Sequence, residues 1–149
     1  MECRPAVDDD VPWLTDTFVA ALRGAITAER GYWDEHKERA QFAEQLKLAQ
    51  TWVLLTEGSR AAFYTAWPEA DHLFLGTLCV APERQNRGIG TEAMRRIAAQ
   101  AGERPVQLAV LKANTAARRF YERLGCRHQS TSRHHDHLVW PPAAFATLS

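Results

Sequence analysis

Val80-Ala81-Pro82-Glu83-Arg84-Gln85-Asn86-Arg87-Gly88-Ile89-Gly90-Thr91 reads as the end of a buried strand, a proline stop, a basic glycine-bearing loop and the first turn of a helix. A junction of this kind collects backbone N–H groups at the positive end of a helix dipole, an arrangement that suits an anionic phosphate. Glycines at 88 and 90 let the backbone approach such a group with no Cβ in the way. The bland alternative is a plain turn with solvated arginines.

Outward from this loop, the preceding run His72 to Val80 is apolar nearly throughout, as in a sheet centre covered on both faces. Before it lie Thr51 to Glu57, stopped by Gly58-Ser59, and Arg60 to Trp67, stopped by Pro68. The short connections predict an antiparallel meander. After the loop, Ile89 to Gly102 reads as a helix with Ile89, Ala93, Ile97 and Ala101 on one side. Pro105 to Leu111 is a strand, and the crossover between the two predicts that its flanking strands run parallel as neighbours or nearly so. Asn114 to Leu124 is a helix with an Asn cap and Gly125 at its exit. Its residues Ala113, Ala117, Phe120 and Leu124 form the predicted core stripe, with Asn114 and Tyr121 on the flank. Cys126 to Ser132 and His134 to Trp140 are two short final strands. At the other end, Asp8 to Arg23 and Glu35 to Ala49 read as helices. The resulting order is β-α-α-β-β-β-α-β-α-β-β, a mixed α/β sheet with helices on both faces.

The chain has 149 residues, which predicts one domain spanning 1–149. Lys plus Arg and Asp plus Glu are 18 each, so bulk charge argues for neither nucleic acid nor an anionic membrane as a partner. The three cysteines are widely spaced and form no C-x-x-C, which favours free thiols in a reducing compartment. The start Met1-Glu2-Cys3-Arg4 lacks a basic n-region, and no apolar run approaches the ~20 residues of a membrane span. A cytoplasmic location is the expectation.

Gly88-Ile89-Gly90-Thr91-Glu92-Ala93 also matches a relaxed dinucleotide fingerprint. Its mid-chain position, the lack of an acidic residue in Val106 to Lys112, and the basic loop before it all count against that reading. A P-loop is excluded because no Gly-Lys-Ser/Thr follows. Instead, Gln85-Asn86-Arg87-Gly88-Ile89-Gly90 resembles the acyl-CoA-binding loop of the GNAT superfamily of N-acyltransferases, whose signature is Gln/Arg-x-x-Gly-x-Gly/Ala. Ala113 to Cys126 resembles that family's later motif, an Asn-initiated helix carrying Phe-Tyr and then Leu-Gly before a strand. The start Cys3 to Asp10 resembles its opening strand and helix cap.

The resemblance implies a three-layer fold of six to seven strands, splayed at an acyl-CoA site. It implies acetyl-CoA as co-substrate, held by Leu78, Val80, Gln85, Asn86, Arg87, Gly88, Ile89, Gly90, Thr91 and Asn114, and no metal. It implies Tyr121 as the catalytic residue, approaching the thioester sulfur; the alternative for Tyr121 is a half-buried aromatic with its hydroxyl in water. With reference pKa values of about 10 for a phenol and 8.5 for a thiol, hydrogen-bond donation suits Tyr121 better than full proton transfer. The acceptor would be an amine of a small molecule or a protein, with dimerisation open. The runner-up is an acyl-CoA-binding module without catalysis, motivated by the absence of a carboxylate from the His72–Val80 strand; a dinucleotide-dependent oxidoreductase is the fallback.

Candidates for the base are His72 (or a solvated strand end), Glu57, Glu35, His134, His137, or a water chain. Arg133-His134-His135-Asp136-His137 makes a poor zinc site, since its histidines split between strand faces and no Cys is near. Cys79 reads as core. Acceptor specificity is expected from a Gly24–Tyr32 loop, the second helix and the last hairpin. Trp13, Tyr32, Trp33, Asp34 and Glu35 form either an aromatic, negative-leaning site for a cationic amine or ordinary packing and surface.

Overall fold

A computed structural model describes residues 1–148. The chain opens with strand β1, Glu2–Pro5, and a short 3-10 turn, Asp8–Asp10. Helix α1, Val11–Arg30, follows, with Pro12 at its first turn. It runs seven residues past the expected stop at Arg23, so Gly24 to Arg30 is helix rather than loop. The apolar stripe Leu14, Phe18, Leu22 continues at the same four-residue spacing to buried Ile26. That burial outweighs the ~1 kcal/mol cost of one mid-helix glycine. The stop comes instead at Gly31, whose φ of 86° closes the helix by a bond from its N–H to the Thr27 carbonyl.

Helix α2, Glu35–Gln45, is capped by Asp34, whose side chain accepts from the Lys37 amide at 3.1 Å. It ends before the expected Ala49. Leu46 turns extended, and the 3-10 turn Leu48–Gln50 feeds the chain into β2, where the Thr51 carbonyl takes the Ala6 amide at 2.9 Å. Strands β2 (Thr51–Thr56), β3 (Ser59–Pro68) and β4 (Leu73–Val80) form the predicted meander. Then come helix α3 (Ile89–Ala101), strand β5 (Val106–Leu111), helix α4 (Thr115–Arg123) and the strands β6 (Arg127–Thr131) and β7 (His135–Trp140).

One seven-stranded sheet results, in the order β1-β2-β3-β4-β5-β7-β6. Its single parallel pair is β4 with β5, where the crossover through α3 placed them. Helices α1 and α2 cover one face, packing Leu14, Phe18 and Phe42 against Val53, Phe63 and Cys79. Helices α3 and α4 cover the other, packing Ile97, Met94 and Tyr121 against Ala62, Leu108 and Leu138. The layers are therefore helix, sheet, helix. Burial pushes the Cys79 thiol up to about 12, in keeping with a core residue rather than a nucleophile. Among the described residues no helix is long and apolar enough to cross a membrane.

Candidate acyl-CoA site

The sheet opens where its one parallel pair ends. Strands β4 and β5 pair only through Leu73 with Val106, Phe74 with Gln107 and Leu75 with Leu108. At Gly76 the ladder with β3 shifts register: Thr65 faces Thr77 while Ala66 faces Leu75, leaving Gly76 as the extra residue of a bulge. The bulge inverts the alternation of β4. Leu73 and Leu75 face α3 before it, and Leu78 and Val80 face that same side after it. Only glycine fits at the bulge, because a Cβ at Gly76 would lie 2.6 Å from Trp67 Cζ3 and 2.7 Å from Thr65 Oγ1. Beyond Leu75, β4 has a strand on one side only, while β5 continues with β7 to Leu111.

A cavity of about 440 Å³ fills this opening. It reaches both faces of the sheet. Phe18, Ile26 and Phe42 line it from α1 and α2, and Asn114, Ala117 and Tyr121 from the α4 side, with Thr77 and Leu78 of β4 between them. Tyr121 is 8% exposed, more deeply buried than its predicted place on the flank of the stripe, whereas Ala117 and Phe120 are only partly buried. Burial pushes its phenol well above the ordinary tyrosine value, so the group stays protonated and can donate. Asn114 uses its side-chain oxygen to cap α4, accepting from the Ala117 amide at 3.2 Å, and leaves its NH₂ for the cavity it lines.

The loop Gln85 to Thr91 stands outside the cavity, at the end of the open strand. Gln85 folds back so that its Nε2 donates to the Val80 carbonyl at 3.3 Å, so Val80 meets the loop and does not line the cavity. Asn86 takes a left-handed φ of 64°, which asparagine tolerates better than most residues. Gly88, at φ 79°, is the N-cap of α3 and offers no side chain to cap it. The amides of Gly88, Ile89, Gly90 and Thr91 therefore project from an uncapped helix start, since the first intrahelical bond is donated by Glu92 to Gly88 at 3.0 Å. The Ile89 side chain is 3% exposed in the core, so only its backbone faces the loop. A Cβ at Gly90 would sit 3.2 Å from Phe120 Cζ, so the two sequence motifs pack directly on each other. Uncapped amides, a dipole end and room around Gly88, where nothing lies within 4 Å of an added Cβ, fit a pyrophosphate.

Several expected site residues lie elsewhere. His72 pairs with Asp71 at 2.7 Å at the closed end of β4, next to the Leu73–Val106 pair. Glu57 sits in the exposed β2–β3 turn. Glu35 is tied to Arg39 and to Trp33 Nε1, and Trp33 also stacks under Arg23. Trp13 packs edge-on against Phe63, and Tyr32 is exposed. None of these lines the cavity, so of the two readings of Trp13, Tyr32, Trp33, Asp34 and Glu35 the one as packing and surface holds; besides Tyr121, the aromatics of the cavity are Phe18, Phe42, Trp67 and Phe74. His134 turns to Glu29 at 3.1 Å and His137 to Ser132 Oγ at 3.0 Å.

Two proton-accepting side chains in the cavity wall were not among the candidate bases read from the sequence. Glu38 of α2 is 6% exposed and accepts from Arg30 Nη1 at 2.9 Å. His135 opens β7 opposite Leu111 and shares its face of the sheet, turned towards α1. The alternation in Arg133 to His137 separates His135 from His134, but only the β5–β7 register tells which face meets the cavity. The second helix and last hairpin thus border the cavity as expected, and the Gly24–Tyr32 segment contributes to it as helix.

The Acetyltransferase (GNAT) family model matches residues 14–126, a span that includes both the loop and α4. Among curated proteins, no sequence matches significantly. The fold is similar to that of the PaiA N-acetyltransferase of Thermoplasma acidophilum, solved with coenzyme A, at 16% identity and TM-score 0.74, covering 94% of this chain and 98% of that one. It is similar to an acetyltransferase of Thermus thermophilus, at 22% identity and TM-score 0.72, covering 94% and 96%. It also resembles the ribosomal-protein-S18-alanine N-acetyltransferase of Escherichia coli, at 20% identity and TM-score 0.67, covering 93% and 90%.

Proposed function

The chain belongs to the GNAT family of acetyltransferases, and on that premise we propose that it moves an acetyl group from acetyl-CoA to a primary amine by direct attack while both are bound. The observation that carries this reading is the cavity at the β4–β5 opening with Tyr121 in its lining, together with the uncapped start of α3 beyond the end of the open strand. We assign the pyrophosphate to the amides of Gly88, Ile89, Gly90 and Thr91 and to the loop residues Gln85, Asn86 and Arg87. Charge-assisted bonds of this type contribute roughly 1.5–3 kcal/mol each, so a few hold the ligand without a buried cation. Asn114 and Leu78 flank the thioester arm, and Val80 anchors the loop through Gln85.

Acetyl-CoA supplies the activated carbonyl and the thiolate leaving group. Around them, this chain orients, shields and donates. The unpaired edge of β4 beyond Leu75 presents backbone groups to the arm and the carbonyl oxygen. Tyr121 donates a hydrogen bond to the departing sulfur. Its raised pKa makes full proton transfer to a thiolate still less favourable than the reference values suggest, and donation is the role that remains. Binding both reactants at one opening supplies much of the rate enhancement through proximity.

The test combines acetyl-CoA-dependent thiol release over an amine panel with the Tyr121→Phe variant. The variant is expected to lower kcat by about 10²-fold or more, the range for loss of one positioned hydrogen-bond donor or proton-transfer group. Its affinity for acetyl-CoA is expected to hold. Undiminished turnover in Tyr121→Phe removes the assignment of Tyr121. A protein that binds acetyl-CoA yet releases no thiol with any amine of the panel is a binding module instead.

A further inference from the structure

The cavity lining differs between the two faces of the sheet, and the α1–α2 side carries information about the acceptor. On that side Phe18, Leu22, Ile26, Phe42 and Leu46 supply an apolar patch, bordered by the neutral amides of Gln41, Gln45 and Gln50. Its buried carboxylate, Glu38, is already matched by Arg30 at 2.9 Å. The remaining charge in the lining is Lys47, exposed at the rim. Arg30 and Lys47 against Glu38 leave this wall with one net positive charge. A polycationic acceptor would meet that charge with no unmatched carboxylate to receive it.

Resting on the function proposed above, we propose that the acceptor is a small monoamine with an apolar, aryl-sized body, and that His135 takes the proton from its attacking nitrogen. The apolar patch rewards burial of the body and disfavours an ammonium placed against it, so the amine sheds its proton more readily there than in water. His135 lies in the same lining, on the face turned towards α1, across the opening from Tyr121. The charged and titratable groups around it are Arg30 and Glu29 of α1, Glu38 of α2, Tyr121 of α4, and His134 and His137 on its own hairpin. Burial, His137, His134 and Arg30 favour its neutral form and Glu29 opposes them; the net direction is below the usual histidine value. A neutral imidazole at pH 7 is the form that accepts a proton.

The transfer needs no further reactant. The ammonium gives one proton to an imidazole nitrogen of His135. The freed lone pair forms the C–N bond as the C–S bond breaks, and the thiolate leaves with that bond's electron pair. The second N–H proton ends on the thiolate, and His135 returns its own to water.

The experiment measures acetyl-CoA-dependent thiol release with 2-phenylethylamine, spermidine and an unstructured alanyl peptide, alongside acetyl-CoA thermal shifts for the wild type and His135→Gln. Expected is a kcat/KM for 2-phenylethylamine at least tenfold above the other two. His135→Gln should lower it about 10²-fold or more, while keeping the wild-type thermal shift. In the wild type kcat/KM should rise with pH through a limb below the usual histidine value of about 6.5; the variant should lack that limb. Preference for spermidine or the peptide, no thiol release with any of the three amines despite a thermal shift, or a His135→Gln rate within threefold of wild type overturns the proposal. Absence of any acetyl-CoA shift in the wild type instead overturns the function on which it rests.

Discussion

The carboxylate of Asp10 is fully shielded from water, and it accepts from Arg4 at 2.7 and 2.9 Å, from Arg60 at 2.8 Å and from the Val7 amide at 2.8 Å. The acidic run Asp8 to Asp10 therefore does more than favour a helix start. One of its members pins β1 and β3 to the head of α1. The Arg4 hydrogen bonds, with those of Val7 and Arg60, hold this carboxyl well below the usual carboxylate range. The unfolded chain then binds a proton more readily than the folded one, so the stabilisation is complete above the unfolded value of about 3.9 and fades as pH falls below it. Asp10→Asn is expected to cost about 3 kcal/mol at pH 7, the lower end for breaking a buried pair, because both arginines keep 36% of their side-chain surface in water. Denaturant melts at pH 7 and pH 3.5 check this. The gap between variant and wild type should narrow at the lower pH, and a gap that widens there contradicts the assignment.

At the scale of elements, Gly76 decides where the sheet opens. Gly76→Ala puts a methyl group against Trp67 and Thr65 at separations that force movement. Overpacking of this kind costs about 1–3 kcal/mol. It should also perturb the thioester-arm site, since Trp67 and Thr77 line the cavity on either side of the bulge. The expected outcome is a lowered denaturation midpoint together with weaker acetyl-CoA binding; by contrast Gly88→Ala, in open space, should lower the stability of the free protein only by the ~1–2 kcal/mol of a left-handed alanine, while its methyl group crowds the proposed pyrophosphate site. The strands and the crossover were legible because apolar runs end at Gly58, Pro68 and Pro82, and such stops act locally. The bulge was not, since a glycine in a strand run becomes a bulge only through what packs on it, here an indole from β3. Gly24 misled for the same reason: its loop signal was overruled by Ile26 finding the core. Asn114 and Tyr121, singled out through the family resemblance, both line the cavity, and the loop stands beyond it. His135 and Glu38 were not legible, because their access to the cavity is set by the register of β5 on β7 and by the placement of α2.

Seen as a whole, the molecule is two half-sheets, β1 to β4 and β5-β7-β6, joined by one short parallel ladder and by the α3 crossover. The proposed ligand would touch both halves. The loop and the open edge of β4 belong to the first, while Asn114 and Tyr121 follow β5 in the second. Its binding energy would then act across the weakest seam of the sheet and add to global stability by mass action. At about 100-fold over its dissociation constant, a ligand specific to the folded state adds roughly 2.7 kcal/mol. For a chain of this length that corresponds to a rise in Tm of about 5–11 °C. The division of labour between loop and cavity gives the measurement its discriminating arm. Pantetheine lacks the pyrophosphate and leaves the amides of Gly88 to Thr91 without a ligand, so at equal concentration it should raise Tm by much less than coenzyme A. The coenzyme A shift should shrink with added salt, because exposed Arg87 supplements the amides electrostatically. Equal shifts from the two compounds would mean that the cavity, and not the start of α3, holds the ligand.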